Sequence, residues 1–224
     1  IGRADLDPFE HAERLGPIVS FLETSTPPAD LAAARAYLAD LARGCRSALL
    51  DAFEGPEREQ EIGLFLVAAS ETTVAALADM LLSWTRAPDT FRRLATPQDI
   101  DALIARRLAD ELPFGLATRY CVKDTAVGGC PMTRGDIVHI DLQQAQRDAR
   151  GDPDGKAADF VFGIGRHRCP GSRLALMELH RFVARLRSCD PEDYALHEDA
   201  PAEERGKTFR RPPAFRLVRR AANA

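Results

Sequence analysis

The sequence predicts a mainly α domain with small β segments, and three observations carry that prediction. Apolar residues recur at helical spacing over residues 4–24, 30–53 and 57–86. The helical period is lost from Leu112 to Val127, where short extended runs and glycine turns take over. A glycine-rich stretch around Cys169 then leads directly into an amphipathic run over residues 172–187.

In chain order, Phe9, Ala12, Leu15, Ile18, Phe21 and Leu22 mark a first helix. Thr24-Ser-Thr-Pro-Pro reads as a loop, with Thr26 or Asp30 near the start of the next helix. That second helix is rich in Ala and Leu and should run from Asp30 to Phe53, stopping at Gly55-Pro56. Residues 57–86 read as one long helix of roughly 30 residues, about 45 Å at about 1.5 Å per residue. It ends at Ala87-Pro88, because proline disfavours the helical state before it. Short helices are expected at residues 90–95 and 98–109. Extended runs follow at Leu116-Ala-Thr-Arg-Tyr-Cys-Val and Ile137-Val-His-Ile-Asp-Leu, with a turn at Gly128-Gly129 between them.

Composition narrows the function classes. The chain has 224 residues, enough for one good-sized core, and is read as a single domain over residues 1–224. A net charge of −4 gives no reason to expect nucleic acid as a partner. Cys45, Cys121, Cys130, Cys169 and Cys189 are odd in number, scattered and never in a C-x-x-C pair. This argues against a disulfide framework or zinc cluster and points to a reducing, cytoplasmic compartment. The sequence has no apolar run approaching the roughly 18 residues of a membrane span and no signal peptide, so no membrane is expected. Ile1, where a Met would begin a chain, leaves room for a longer N-terminus.

The chemistry gathers at Phe162-Gly-Ile-Gly-Arg-His-Arg-Cys-Pro-Gly171. A cysteine just before a helix start lies near unpaired N–H groups and the positive end of the helix dipole, which favours its thiolate. Arg166, His167 and Arg168 add positive charge beside it. The glycines let backbone approach a flat object closely. A buried structural cysteine is the plainer alternative for any single Cys. Here Phe162, Gly163, Gly165, His167, Cys169 and Gly171 match every defined position of Phe-Gly-x-Gly-x-His-x-Cys-x-Gly. The stretch thus resembles the cysteine-ligand loop of the cytochrome P-450 superfamily.

That resemblance implies the C-terminal part of a cytochrome P-450-like fold, with a long central helix and a cysteine loop followed by a helix. It implies haem b as cofactor, Cys169 as axial iron ligand, and Phe162, Gly163, Gly165, His167 and Gly171 as cofactor-binding residues. In the long helix, Ala68-Ala-Ser-Glu-Thr-Thr73 is similar to the family's Ala/Gly-Gly-x-Asp/Glu-Thr-Thr, with Ala69 in place of Gly. By that similarity Glu71 and Thr72 relay protons to dioxygen during O–O cleavage, and Ala68 leaves room beside the haem. Leu64, Val67 and Ala68 face substrate. Read from the residues alone, the threonines bond back to carbonyls one turn earlier. Pro113 and Arg119 match the family's proline and haem-propionate arginine, with His167 serving the other propionate. For Arg119 a solvated strand arginine is the alternative.

The chain departs from the family in two respects. The Glu-x-x-Arg pair is missing: counting back from Pro113 places Arg106 and Ala109 at those positions, and Asp101 is followed by Ile104 three residues on. The stretch before Phe162 also lacks the family's loop arginine, so a lock beneath the cysteine loop must be supplied otherwise, by the 172–187 helix and a neighbouring chain or second copy. The chain is about half the family's usual length, lacking its N-terminal helices and sheet.

The resemblance implies a haem-thiolate monooxygenase inserting one oxygen atom into a small organic substrate in secondary metabolism. Its electrons would come from a ferredoxin-like donor on a basic face of Arg166, Arg168, Arg173 and Arg181, for which solvated charge is the alternative. The competing readings are a non-catalytic relative that binds or activates another enzyme, and a haem sensor or carrier.

Overall fold

The computed structural model describes residues 7–23, 28–44, 55–150, 160–198, 208–210, 212 and 215–220. They fall into two compact units, residues 1–72 and 73–224, each described by itself.

The first unit holds α1 (Pro8–Glu23), α2 (Pro28–Gly44) and the first part of α3 (Gly55–Arg86). Leu15, Leu41, Ala42, Ile62 and Leu66 form its buried core, with Ile18, Tyr37 and Leu38 packed against them. Gly63 allows close packing here: a Cβ at this position would lie 3.3 Å from the Leu38 side chain. His11 Nδ1 is 2.9 Å from the Tyr37 hydroxyl, and burial lowers the imidazole pKa. The expected extension of the second helix to Phe53 lies outside the described residues.

The second unit begins with the rest of α3 and continues through α4 (Pro88–Arg92) and α5 (Pro97–Asp110). Thr96 and Asp99 form a capping box at α5: the Thr96 hydroxyl accepts from Asp99 N–H at 3.2 Å, and the Asp99 carboxylate accepts from Thr96 N–H at 2.8 Å. α5 therefore starts at Pro97, and α4 starts at Pro88, slightly earlier than the expected positions. Ala76, Met80, Trp84, Phe91, Ile100, Leu103, Ile104 and Leu108 join Leu179, Val183 and Leu186 of α7 (Ser172–Leu186) in one core.

Among the described residues the β segments form three separate antiparallel pairs. β1 (Leu116–Tyr120) pairs with β4 (Ile137–Asp141), placing Arg119 opposite Val138. β2 (Thr125–Val127) and β3 (Cys130–Met132) form a hairpin around Gly128 and Gly129, whose φ values are 57° and 82°. Two positive φ angles in a two-residue loop match the twist of the flanking strands and suit glycine. β5 (Tyr194–Glu198) pairs with β6 (Phe215–Arg219), which the sequence reading did not anticipate. Nor did it anticipate α6 (Leu142–Arg150): its buried positions are Gln143 and Gln146, so it carries no apolar period.

One expectation is corrected. By length and composition alone, one helix among the described residues, Glu61–Arg86, is long and apolar enough to cross a membrane. The sequence reading required an uninterrupted apolar run, and Glu71 and Asp79 break it. Several residues of the same helix, among them Met80 and Trp84, sit in the core of the second unit.

Candidate functional site

The glycine pattern around Cys169 folds as a built loop in the second unit. Gly163 N–H donates to Phe160 O at 3.0 Å, closing the turn that leads in. A short 3-10 turn, Gly165–His167, follows. The Cys169 N–H then donates to Phe162 O at 2.7 Å, tying the cysteine back to the entrance of the loop. Phe162 and Val161 anchor that entrance by packing on the core of the unit. Beyond Cys169, Gly171 caps α7, and Ala175 N–H donates to its carbonyl at 3.0 Å.

The three glycines are not equivalent. Gly163 has φ 68°, and a Cβ there would lie 2.7 Å from the His167 carbonyl oxygen, closer than real Cβ atoms come to anything. Gly165 also has a positive φ, 59°, with open space where a Cβ would stand. Gly171 has φ −85°, and a Cβ there would meet the Cys169 sulfur at 3.8 Å, an ordinary contact. The backbone of the loop demands glycine at 163, favours it at 165 and is indifferent to it at 171. Cys169 itself is exposed, as are Arg166, His167, Arg168 and Gly171. Ile164, 57% exposed, and Leu174, Leu176 and Met177 extend an apolar surface on the loop and the first turns of α7.

Arg119 stands exposed on β1, its guanidinium donating to Thr118 O at 2.8 Å. Arg173 and Arg181 are exposed on α7. Arg181 also lines a shallow groove between α5 and α7 with Asp101, Ala105, Leu176, Met177 and His180. There His180 Nδ1 lies 2.7 Å from Asp101 Oδ1, so Asp101 has a partner on α7.

In the first unit, α3 presents the acid–alcohol sequence. Glu71 is buried and Thr72 half-buried, while Leu64 and Ala68 are exposed and Val67 is buried. Of the three residues expected at substrate, Val67 thus differs from Leu64 and Ala68 in exposure. The Thr72 hydroxyl donates to Ala68 O at 2.8 Å and Ser70 donates to Leu66 O at 2.7 Å. The back-bond foreseen as the plainer alternative is present. It uses the Thr72 proton and leaves its oxygen able to accept another.

Where Glu-x-x-Arg is missing, α5 carries Arg106, exposed, and Ala109, buried. Its neighbour Arg107 pairs with Asp79 through two hydrogen bonds of 3.1 and 2.6 Å. Burial opposes the Arg107 charge, but the Asp79 bonds together with the charges of Asp79, Asp110 and Glu111 outweigh it and raise the guanidinium pKa. The sequence reading missed Gln143 and Gln146, which are 2% and 4% exposed. Nothing in their polar surroundings marks them, since helical periodicity is read from apolar residues.

Among the described residues no three His, Cys, Asp or Glu side chains gather around a common point. A bare ion wants several protein ligands, whereas haem brings its own nitrogen donors and can be held by a single one from the protein. One exposed sulfur on a glycine-shaped loop fits the latter.

Comparison with known proteins leads to the same class. The search against protein-family models matches none. Among curated relatives, the vitamin D(3) 25-hydroxylase of Pseudonocardia autotrophica is 30% identical over 139 residues, 58% of this chain and 34% of that protein. Cytochrome P450 107B1 of Saccharopolyspora erythraea is 31% identical over 156 residues, 62% of this chain and 38% of that protein. The chain therefore spans little more than a third of the length of these relatives. Among solved structures, CalO2 superposes with a TM-score of 0.72 at 20% identity, covering 95% of this chain and 61% of that one. P450BioI, solved with a hexadec-9Z-enoic acid-ligated acyl carrier protein, gives 0.73 at 20% identity, covering 95% and 62%. The fold is that of the cytochrome P-450 proteins. Over its matched residues the chain is similar in sequence to these cytochrome P-450 proteins.

Proposed function

We propose that this chain is part of a haem-thiolate monooxygenase domain, a single domain over residues 1–224 as far as the chain extends. The observation that carries this reading is Cys169, exposed on a loop whose Gly163 admits no side chain and whose backbone bonds the cysteine to Phe162. When bound, haem b would supply the redox centre for inserting one atom of dioxygen into a C–H or C=C bond, with Cys169 as the residue that would hold its iron.

The chain's own residues divide the remaining work. Cys169 provides the thiolate, and Phe162, Gly163, Gly165 and Gly171 form the loop against the macrocycle. Arg119 and His167 bind the two propionates, where charge-assisted hydrogen bonds are the strong kind. Ala68 leaves space on α3, and Leu64 and Val67 with it contact a small organic substrate. Glu71 and Thr72 hold and pass a proton at the Thr72 oxygen, a positioned hydroxyl fed by a carboxylate. Arg166, Arg168, Arg173 and Arg181 offer a basic surface to an acidic electron donor such as a ferredoxin. The names of the relatives support a hydroxylase of this kind. A cytoplasmic setting and secondary metabolism complete the reading.

The test is the absorption spectrum of the reduced, haem-reconstituted protein under carbon monoxide. A strongly red-shifted thiolate–CO band, abolished by Cys169→Ser, is the expected result. Failure to take up haem would overturn the reading and return the chain to a non-catalytic binding role. Thr72→Ala should keep the band yet separate electron consumption from product; unchanged coupling removes Thr72 from the mechanism.

A further inference from the structure

α6 is a polar helix of nine residues with two buried side chains, and both are amides. Burying an amide is unfavourable unless its hydrogen bonds are made, so the partners of Gln143 and Gln146 show what they are for. Gln143 uses both ends: its Oε1 accepts from Leu112 N–H at 2.8 Å, and its Nε2 donates to Asp110 O at 3.1 Å. It thus grips the backbone on either side of the end of α5. Gln146, three residues on and so on the same helix face, accepts from Phe160 N–H at 2.8 Å through its Oε1.

Phe160 stands where the chain enters the cysteine loop. Its own carbonyl accepts from Gly163 N–H at 3.0 Å, and Phe162 O accepts from Cys169 N–H at 2.7 Å. Three hydrogen bonds therefore run from Gln146 through the entry turn to the backbone of Cys169. Between the links there is no room for a side chain at Gly163, where a Cβ would lie 2.7 Å from His167 O. Arg150 adds an ion pair to Asp110 at 2.5 Å, but both side chains are 40% exposed, and such pairs contribute little.

We propose that Gln143 and Gln146 are positioning residues: two buried amides, one turn apart on α6, that tie the exit of α5 to the entry of the Cys169 loop and set the place of its sulfur. Arg106 and Ala109 leave α5 without an ion-pair lock at the Glu-x-x-Arg positions, and this neutral tie joins α5 to the cysteine loop in its stead. Being uncharged, it should be indifferent to salt and to pH across the neutral range. The inference about the sulfur's task rests on the haem-thiolate reading; the tie itself does not.

The experiment compares Gln146→Met, which keeps the bulk and removes the acceptor, with Gln146→Glu, which keeps the acceptor. Gln146→Asn, one methylene too short to reach, serves in place of the Met variant if that fails to fold. Without haem, amide hydrogen exchange at Phe160 and Cys169 should quicken about tenfold in Gln146→Met, the scale of one hydrogen bond. Exchange inside α7 should stay unchanged, and Gln146→Glu should restore protection. With haem, the thiolate–CO band should shrink in Gln146→Met and recover in Gln146→Glu. Unchanged exchange at Phe160 and Cys169, or a uniform rise that includes α7, overturns the proposal. The expected exchange pattern in a protein that binds no haem upholds the tie and removes the haem reading, so the two failures are separable.

Discussion

Substituting alanine at each of the three loop glycines in turn should produce a graded response, because their backbones differ. In Gly163→Ala the new Cβ arrives 2.7 Å from the His167 carbonyl oxygen while φ stays at 68°. The left-handed conformation costs an L-residue about 1–2 kcal/mol, and moving a backbone carbonyl off its minimum adds about 1–2 kcal/mol of strain. The sum, about 2–4 kcal/mol, falls on the loop rather than on the core. Gly165→Ala meets open space at φ 59° and bears the conformational part alone. Gly171→Ala, at φ −85° with its nearest contact at 3.8 Å, should lie within about 0.5 kcal/mol of the parent. Native-state exchange of the Cys169 amide reads this series directly. At about 1.4 kcal/mol per factor of ten, opening should become at least about thirtyfold easier in Gly163→Ala, about fivefold or more in Gly165→Ala and hardly easier in Gly171→Ala. Equal protection in Gly163→Ala and Gly165→Ala would refute the steric reasoning. Under the haem reading, Gly171→Ala should impair haem uptake with the apo loop intact, since what lies against Gly171 is then the cofactor.

Three further outcomes follow from the packing and the charges. Arg107→Met strands the Asp79 carboxylate, only 16% exposed, and should cost about 1–3 kcal/mol in denaturant unfolding; adding Asp79→Asn should recover part of it. The Thr96 backbone N–H, then the Thr96 hydroxyl and the Ala95 N–H, hold the Asp99 carboxyl below the usual carboxylate range. Its stabilisation is therefore full above the ordinary Asp range and fades as pH falls through the lowered folded value, so Asp99→Asn should flatten the acid limb of a stability–pH profile. Phe91→Ala empties a site 1% exposed in the core of the second unit and should cost about 3–5 kcal/mol; a loss below 1 would mean that the site refills.

The loop glycines show how much of the site was legible. Gly163 and Gly165 stood out as a motif with Cys169, and the structure supplies the physical need for two of the three, positive φ angles and a closed contact. Gly171 matched the same motif without any such need in the chain's own backbone. Thr72 was readable in two ways, and its bond to Ala68 O realises the local one, as a hydroxyl in a helix always has a carbonyl within reach. The buried glutamines were illegible: on an apolar scale Gln143 and Gln146 look like solvent-facing residues, and only their partners 31 and 14 positions away reverse that.

By itself, then, the sequence determined the apolar-periodic helices, though not α6, together with the turn at Gly128-Gly129 and the identity of the presented sulfur, because periodicity, proline and glycine act over a few residues. The tertiary structure alone decided what holds that sulfur in place. The tie through α6 is made of hydrogen bonds between segments far apart in the chain, and distance along the sequence carries no trace of who will meet whom.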